Sequence, residues 1–238
     1  MPKNRIFTRF SDLTDTEKYS KNSTRQEQKT QQRRHRKGPL ESTAAAAESD
    51  AERKNEMAVI TFVCAGQMNS AITFPAFENG HEVRLVGSPL DREIIDHLRE
   101  DNFHITLKRT LHDGIKYYQI EELEEALQGA DLILGGVSSF GLDWFCDEIL
   151  PVLPETVPLL TVTKGMVDLE DGTLVPYPVI FAQRQPAGKN INFNAIGGPC
   201  TSYELADHDN SHVAFCGKDM KTLEYIKSLL ATDYYHIS

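Results

Sequence analysis

The sequence predicts an α/β fold built on a mostly parallel, doubly wound sheet with helices on both faces, because two patterns agree. From residue 57 onward, short apolar runs typical of strands alternate with helix-like segments, which is the order of successive βαβ units. The strand runs are nearly continuous stretches of apolar residues, as expected for parallel strands that are buried on both faces. Right-handed crossovers between such strands then fix most of the topology.

The elements predicted between residues 58 and 163 are bounded by turn and capping residues. The helix after the first strand stops at Asn79-Gly80, which is a C-cap signal. Asp91 stands where its side chain can cap the N-terminus of the next helix. In order, the predicted elements are strand 58–64, helix 67–78, strand 82–86, helix 91–100, strand 116–120, helix 121–128, strand 131–137, helix 141–150 and strand 159–163.

After residue 163 the patterns are shorter and less regular. An amphipathic pattern predicts a final helix over 219–231. The remaining predicted pieces are strand-like runs near 179–182, 192–196, 212–216 and 234–237.

Composition and charge exclude several classes of protein. The chain has 238 residues, 40% of them hydrophobic, which is enough for one sizeable domain or two small ones. Its longest apolar runs are about five to seven residues, too short to span a membrane. The net charge of −10 argues against nucleic acid as the main partner. The four cysteines have neither CxxC nor zinc-site spacing, so we expect free thiols, no bound metal and a cytoplasmic protein.

Charge divides the sequence into two parts. Residues 1–56 carry 13 basic and 9 acidic side chains, whereas the remaining residues carry 12 and 26. The first part is polar and has no sustained apolar periodicity, so we expect a disordered extension that is dispensable for folding. A basic arm over residues 29–37 is an alternative use for it. The compact domain is predicted to begin at Met57.

The turn after the first predicted strand has the position and part of the pattern of a dinucleotide-binding turn. Compared with G-x-G-x-x-G, the segment Cys64-Ala65-Gly66-Gln67-Met68-Asn69 keeps only the middle glycine. Gly66 is the glycine that lets a pyrophosphate approach the backbone at a helix N-terminus. We expect Cys64 to strain the turn and Asn69 to push the helix outward.

The tip of the second predicted strand does not decide between NAD and NADP. An acidic residue about 20 positions after the glycine turn usually binds the ribose 2′-hydroxyl. The segment Val86-Gly87-Ser88-Pro89 contains no acid, and the next one is Asp91. Arg92 could meet a 2′-phosphate, or it could be an ordinary solvated arginine.

Four segments give a specific resemblance. They are Asn79–Leu85 (NGHEVRL), Val137–Phe140 (VSSF), Thr163–Met166 (TKGM) and Gly198–Glu204 (GPCTSYE). In this order, at the carboxyl ends of predicted strands or just before one, they resemble the NAD(P)-dependent glycerol-3-phosphate dehydrogenases. The resemblance covers residues 57–238 and implies the Rossmann-like cofactor-binding domain of that family. It also implies NAD or NADP as cofactor, with glycerol 3-phosphate and dihydroxyacetone phosphate as the substrate pair.

The resemblance implies a role for each matching residue. Backbone amides of the turn after the first predicted strand would bind the pyrophosphate, Ser88 would lie by the adenosine ribose, and Lys164 would face both the nicotinamide and the substrate phosphate. Cys200 replaces the family's usual hydroxyl, which weakens one hydrogen bond. The implied cofactor-binding residues are Gly66, Gln67, Met68, Ser88, Ser138, Phe140, Lys164, Ser202 and Glu204. The implied substrate-binding residues are Lys164, Gly198 and Cys200.

The resemblance assigns no catalytic residue to this sequence. In the family, a helical domain follows the Rossmann domain and carries the lysine that donates and accepts the proton. The sequence ends at Ser238, where that domain would begin, so we expect the chain alone to be inactive or nearly so. The uncovered apolar face would favour a helical-domain partner or a homodimer.

Three other interpretations stay open at this stage. The first is a dinucleotide-binding module without catalysis, and the second is an inactive gene fragment. The third is a related dehydrogenase that acts on another hydroxy acid or on ketopantoate, which the Gly198–Glu204 segment argues against.

Overall fold

A computed structural model of the chain describes residues 57–238. Its first elements are β1 (Val59–Val63), α1 (Gln67–Glu78), β2 (Glu82–Val86), α2 (Arg92–Asp101), β3 (Phe103–His104), β4 (Arg109–Thr110) and β5 (Lys116–Tyr118). The next are a 3₁₀ turn (Ile120–Glu122), α3 (Leu123–Ala126), β6 (Leu132–Gly135), a second 3₁₀ turn (Ser139–Gly141), α4 (Leu142–Trp144), a π-helical turn (Phe145–Ile149) and β7 (Leu159–Thr161). The last are β8 (Met166–Asp168), β9 (Leu174–Pro176), α5 (Tyr177–Arg184), β10 (Phe193–Gly197), α6 (Ser202–Ala206), β11 (Ser211–Cys216), α7 (Met220–Leu230) and β12 (Tyr235–Ile237).

An eight-stranded sheet with the order β12-β11-β10-β7-β6-β1-β2-β5 organises these elements. Six neighbouring strands of this sheet run parallel to one another: β5, β2, β1, β6, β7 and β10. Strand β11 pairs antiparallel with β10 and parallel with β12. In chain order, the six parallel strands give the 3-2-1-4-5-6 arrangement of a doubly wound nucleotide-binding sheet. The predicted α/β fold is therefore confirmed, and the switch point lies between β1 and β6.

Each face of the sheet has its own apolar core. Ile60 and Phe62 belong to one core with apolar residues of α1, α2 and α7, whereas Val63 belongs to the other with residues of α3, the π turn and α5. Because both faces are covered, β1 is buried from Ile60 to Val63 rather than alternating, and Thr61 is its one polar side chain. Phe62 and Phe145 are fully buried, and burying such a side chain contributes roughly 1.5–3 kcal/mol to stability.

The strand predicted near residues 179–182 is wrong, because these residues lie inside helix α5. Tyr177, Ile180 and Phe181 are its buried residues, and their i, i+3, i+4 spacing forms one helical face. Pro178 is compatible with the first turn of the helix, where backbone N–H groups have no intrahelical partner. The short apolar run was therefore compatible with a strand and with a helix, and the helix is the form whose buried face packs on the sheet.

The helices predicted over 121–128 and 141–150 are each interrupted. The first starts as a 3₁₀ turn, where the N–H of Gln119 donates to Glu122 Oε2 at 2.6 Å. The second passes from α4 into a π turn. The carbonyls of Pro151 and Leu153 follow that turn, and both accept from Lys189 Nζ at 2.6 Å. These side-chain bonds satisfy backbone groups that a longer regular helix would have paired internally.

Two short hairpins, β3–β4 and β8–β9, were not predicted. Both lie outside the main sheet. The predicted extension over residues 1–56, with its basic arm, lies outside the described residues. Within residues 57–238, the helices are all too short or too polar to cross a membrane.

Candidate functional site

The turn between β1 and α1 lies at the switch point of the sheet. Cys64, in place of the first glycine, has a φ of +78°, in the left-handed region that favours glycine. Its N–H donates to the carbonyl of Val86 at 2.8 Å, so the turn is tied to the end of β2. The expected strain is thus confirmed, at a cost of about 1–3 kcal/mol. The Cys64 thiol is buried, which raises its pKa and makes it a poor nucleophile.

Asn69, in place of the third glycine, is accommodated by a glycine on the neighbouring strand connection. Its Nδ2 donates to the carbonyls of Val63 and Cys64 at 3.0 and 2.8 Å. A Cβ added to Gly136, just after β6, would lie 2.5 Å from the Asn69 side chain. The space for Asn69 therefore comes from Gly136, and the expected outward push on the helix is not needed.

Two side chains from other loops hold the Ala65 peptide in this turn. His104 is fully buried, and its Nε2 donates to the Ala65 carbonyl at 2.9 Å. Its Nδ1 accepts from the N–H of Leu107 at 3.1 Å, which fixes the Nε2–H tautomer. Burial lowers the pKa of His104, so the ring is neutral near pH 7. Hairpin β3–β4 thus supports the turn from behind.

Asp91 holds the N–H group of the same residue, Ala65. Its Oδ2 accepts from the N–H of Ala65 at 3.0 Å and from the N–H of Ser88 at 2.8 Å. The predicted capping role of Asp91 is wrong, because its side chain makes no capping bond to α2. The carboxylate instead joins the β1 turn to the loop after β2.

Gly66 begins α1 and leaves the helix N-terminus open. Its φ of −67° is one that any residue adopts. A Cβ there would meet only the Gly136 carbonyl, at an ordinary 3.5 Å. The fold itself therefore does not require glycine at this position. The N–H groups of Gln67 and Met68, in the first turn, have no intrahelical acceptor, and that turn has no acidic side chain. These features fit an anionic ligand that approaches the backbone closely.

The loop after β2 borders a pocket through Pro89. Ser88 Oγ accepts from the N–H of Leu90 at 3.3 Å, and the Leu90 side chain is 93% exposed. Arg92 is not free, because its guanidinium forms two hydrogen bonds to the carboxylate of Glu121. The pocket has a volume of about 560 Å³, and its lining includes Trp144 as well as Pro89.

Ser138 and Phe140 lie beyond the carboxyl end of β6. The carbonyl of Ser138 accepts from the N–H of Gly141 at 3.0 Å, which closes the 3₁₀ turn. Phe140 at the top of this turn is 98% exposed. Its ring therefore has no packing role in the described part of the chain.

The three predicted substrate-binding residues lie together. Lys164 Nζ donates to the carbonyl of Gly198 at 2.5 Å, although the residues are 34 positions apart. Gly198 has a φ of +105°. Burial raises the pKa of the Cys200 thiol, while a hydrogen bond with Ser211 and the nearby Lys164 ammonium oppose that shift. The site thus places one cation beside a neutral thiol.

Ser202 and Glu204 make different contacts, one to the turn after β1 and the other within α6. Ser202 Oγ lies 3.5 Å from Gln67 Oε1, so α6 contacts the β1 turn. The Gln67 side chain also donates to the carbonyl of Thr106 at 3.0 Å. Glu204 is exposed, and its carboxylate accepts from Thr201 Oγ1 at 2.8 Å within the N-terminal cap of α6. Glu204 therefore supports α6 in this structure.

The roles of His104 and Asp91 were missed or misassigned from the sequence. His104 lies in a two-residue strand that has no periodicity. A lone histidine of this kind gives no signal until the hairpin is seen behind the turn. In residues 57–238, no group of three or more His, Cys, Asp or Glu side chains is placed to hold a metal ion.

A doubly wound parallel sheet with an open helix N-terminus at its switch point defines a Rossmann-type nucleotide-binding domain. The family model described as NAD-dependent glycerol-3-phosphate dehydrogenase N-terminus matches residues 59–223. The chain belongs to this family, as the four segments indicated.

Sequence relatives agree with this assignment. The chain is 29% identical over 180 residues to the NADP(+)-dependent glycerol-3-phosphate dehydrogenase of Archaeoglobus fulgidus, covering 75% of this chain and 52% of that protein. It is 28% identical over 183 residues to the glycerol-3-phosphate dehydrogenase [NAD(P)+] of Streptococcus sanguinis, covering 75% and 51%. The chain therefore spans about half the length of these relatives.

Solved structures show the same fold. Glycerol-3-phosphate dehydrogenase from Coxiella burnetii superposes with a TM-score of 0.66 at 17% identity, over 76% of this chain and 53% of that one. The enzyme from Saccharomyces cerevisiae gives a TM-score of 0.64 at 14% identity, over 77% and 56%.

Proposed function

We propose that this chain is the NAD(P)-binding domain of a glycerol-3-phosphate dehydrogenase. In that role it would hold the dinucleotide for hydride transfer between sn-glycerol 3-phosphate and dihydroxyacetone phosphate. The observation that carries the proposal is Gly66. It is a glycine that neither its φ nor its neighbours require, at the open N-terminus of α1 and at the switch point. A bare backbone at this place lets an anionic ligand come close to the helix N-terminus.

The described residues fit both ends of a dinucleotide. The N–H groups of Gln67 and Met68 would hold the pyrophosphate, and Ser88 would lie toward the adenosine ribose. Phe140 would supply an exposed apolar surface to the nucleotide, with Ser138 beside it and Ser202 next to the turn. When bound, the nicotinamide supplies or accepts the hydride.

Lys164 is the residue best placed to hold the substrate phosphate. Its ammonium lies beside Gly198 and Cys200, and a compact ammonium is well suited to a phosphate. The Cys200 thiol has a raised pKa and would contribute a weak hydrogen bond rather than a charge. Glu204 would act indirectly by stabilising the cap of α6.

The proposed reaction also needs a proton donor. A carbonyl that accepts a hydride becomes an alkoxide, and general acid help is worth about 10²–10⁴ in rate. The thiol of Cys200, with its raised pKa, is a poor source of that proton at pH 7. We therefore expect the chain alone to turn over slowly or not at all. The missing group would come from a helical domain, as in the family, and a homodimer is the other way to cover this face.

A titration of the full chain with NADH and NADPH, followed by nucleotide fluorescence, tests the proposal. Saturable binding is expected. The variant Gly66→Ala should fold normally, because its Cβ meets only an ordinary contact. It should bind roughly tenfold or more weakly, since losing one phosphate contact costs about 1–3 kcal/mol.

A matched control is Gly197→Ala in β10, where a Cβ also meets only ordinary contacts. This variant should leave the dissociation constant of NADH unchanged. If the unaltered chain binds neither nucleotide at millimolar concentration, the proposal is wrong and an inactive fragment is the better interpretation. Tight NADH binding without turnover, even after a helical half is supplied, would instead favour a non-catalytic binding module.

A further inference from the structure

The loop after β2 has an acidic side chain beside it that comes from the start of α2. Asp91 is fixed there by two backbone N–H groups, from Ala65 and Ser88. These bonds hold its carboxylate at the junction of the β1 turn and the β2 loop. The acid that the strand tip itself lacks is therefore supplied from the start of α2.

The basic side chains near this loop are already paired. Arg92 binds the carboxylate of Glu121 through two nitrogens. Arg99 on the same helix donates to Glu122 and to the carbonyl of Tyr117. Neither guanidinium is available to a new anion without losing these bonds. This matters because an arginine at this place is the usual partner of a 2′-phosphate.

The pocket that Pro89 lines, next to Ser88 in the chain, is acidic as well. Its lining contains Glu124 and Glu148, together with Glu121, whose carboxylate is paired with Arg92. Trp144 and the apolar lining residues suit a flat heteroaromatic ring, whereas the carboxylates of Glu124 and Glu148 repel a dianion nearby.

We propose that this acidic rim makes the site select NAD(H) over NADP(H), with Asp91 and Glu121 as the residues that determine the specificity. The inference rests on the proposed function, since it concerns the same dinucleotide site. A 2′-hydroxyl can donate a hydrogen bond to a carboxylate, whereas a 2′-phosphate brings nearly two negative charges to it. The preference differs from that in the name of the A. fulgidus relative, which is NADP(+)-dependent.

The test compares the two reduced nucleotides on the full chain at low and moderate salt. NADH should bind at least about tenfold more tightly than NADPH, and the difference should shrink as salt screens the carboxylates. Trp144 is the only tryptophan of the chain and lines the pocket, so its fluorescence gives a second readout. Adenosine 5′-phosphate should change that signal at lower concentration than adenosine 2′,5′-bisphosphate.

Two variants assign the effect to residues. Glu121→Gln removes one charge and releases Arg92. The Glu121 side chain is 59% exposed, so this variant should fold. The NADH preference should fall several-fold. Asp91→Asn keeps an oxygen acceptor for the two N–H groups and should lower the preference in the same direction. The control Glu224→Gln changes an exposed acid on α7, away from the loop, and should leave the ratio unaltered.

Equal affinity for the two nucleotides, or tighter NADPH binding, would overturn this inference and leave the proposed function intact. An NADH preference that neither variant reduces would overturn the assignment to Asp91 and Glu121. Failure to bind either nucleotide would overturn the inference and the proposed function together.

Discussion

The proposed pyrophosphate side and substrate side of the switch point are built in different ways. On the pyrophosphate side, the turn between β1 and α1 is held by Asn69, Asp91 and His104, each of which bonds to backbone groups of the turn. On the substrate side, Lys164 is exposed, and its ammonium donates to one carbonyl, that of Gly198. Rigid surroundings preorganise a binding site, whereas an exposed cation needs further groups to order it and exclude water.

This difference is consistent with the proposal that the chain binds the cofactor and that another element supplies the proton donor. The turn between β1 and α1 is held by residues of this chain. On the substrate side, Met166, two residues after Lys164, is 55% exposed. The contrast supports the proposal that the chain binds its cofactor unaided and needs a covering element for chemistry.

Replacing His104 with alanine is expected to have the largest effect on the turn between β1 and α1. The side chain is fully buried and satisfies two backbone groups, so its loss leaves a cavity and two unpaired atoms. We expect a loss of about 2–4 kcal/mol in the free energy of unfolding. Urea denaturation measures this, and NADH affinity should fall as well because the turn loosens.

The matched variant on the substrate side is Lys164→Ala. An exposed lysine with one hydrogen bond should contribute less than about 0.5 kcal/mol to stability. A His104→Ala protein as stable as Lys164→Ala would show that the β1 turn is not specially supported.

A second prediction concerns Gly136 and Asn69. A Cβ on Gly136 would lie 2.5 Å from the Asn69 side chain, so Gly136→Ala should destabilise the protein by about 1–3 kcal/mol. Asn69→Gly should cost less stability in the Gly136→Ala protein than in the unaltered chain, because there it also removes the side chain that clashes. A double-mutant cycle in urea measures the coupling. Purely additive effects would contradict direct packing between these residues.

Features that depend on local sequence were predicted, and features that depend on contacts between distant residues were missed. The strands β1, β2, β6 and β7 were predictable, because a run of buried apolar residues is a local signal. The replacement of two glycines was also visible. How Asn69 is tolerated was not, because the space for its side chain comes from Gly136, which is far away along the chain.

The hairpins and Asp91 show the same limit. Strands of two or three residues have no measurable period, so β3–β4 and β8–β9 left no pattern to find. Asp91 stood at a typical capping position, and local reasoning assigned it to α2. In the folded chain its carboxylate instead accepts hydrogen bonds from two N–H groups, one in each of two neighbouring loops.

The smallest effect that we predict is a pH dependence from Glu78, which joins the C-terminus of α1 to three other segments. Its carboxylate accepts from His112 and His208 at 2.8 and 2.7 Å and from the Tyr234 hydroxyl at 2.5 Å. Burial alone would raise the pKa of Glu78, but these three hydrogen bonds lower it below its ordinary value.

A carboxyl whose pKa is lower in the folded state stabilises the protein above its unfolded pKa of 4.5. That contribution is lost as the pH falls below this value toward the folded pKa. Glu78→Gln should therefore be less stable than the unaltered chain at pH 7, and the difference should narrow at pH 3.5 to 4, as measured by thermal unfolding. An equal difference at both pH values would mean that the charge of Glu78 plays no part in joining α1 to β12.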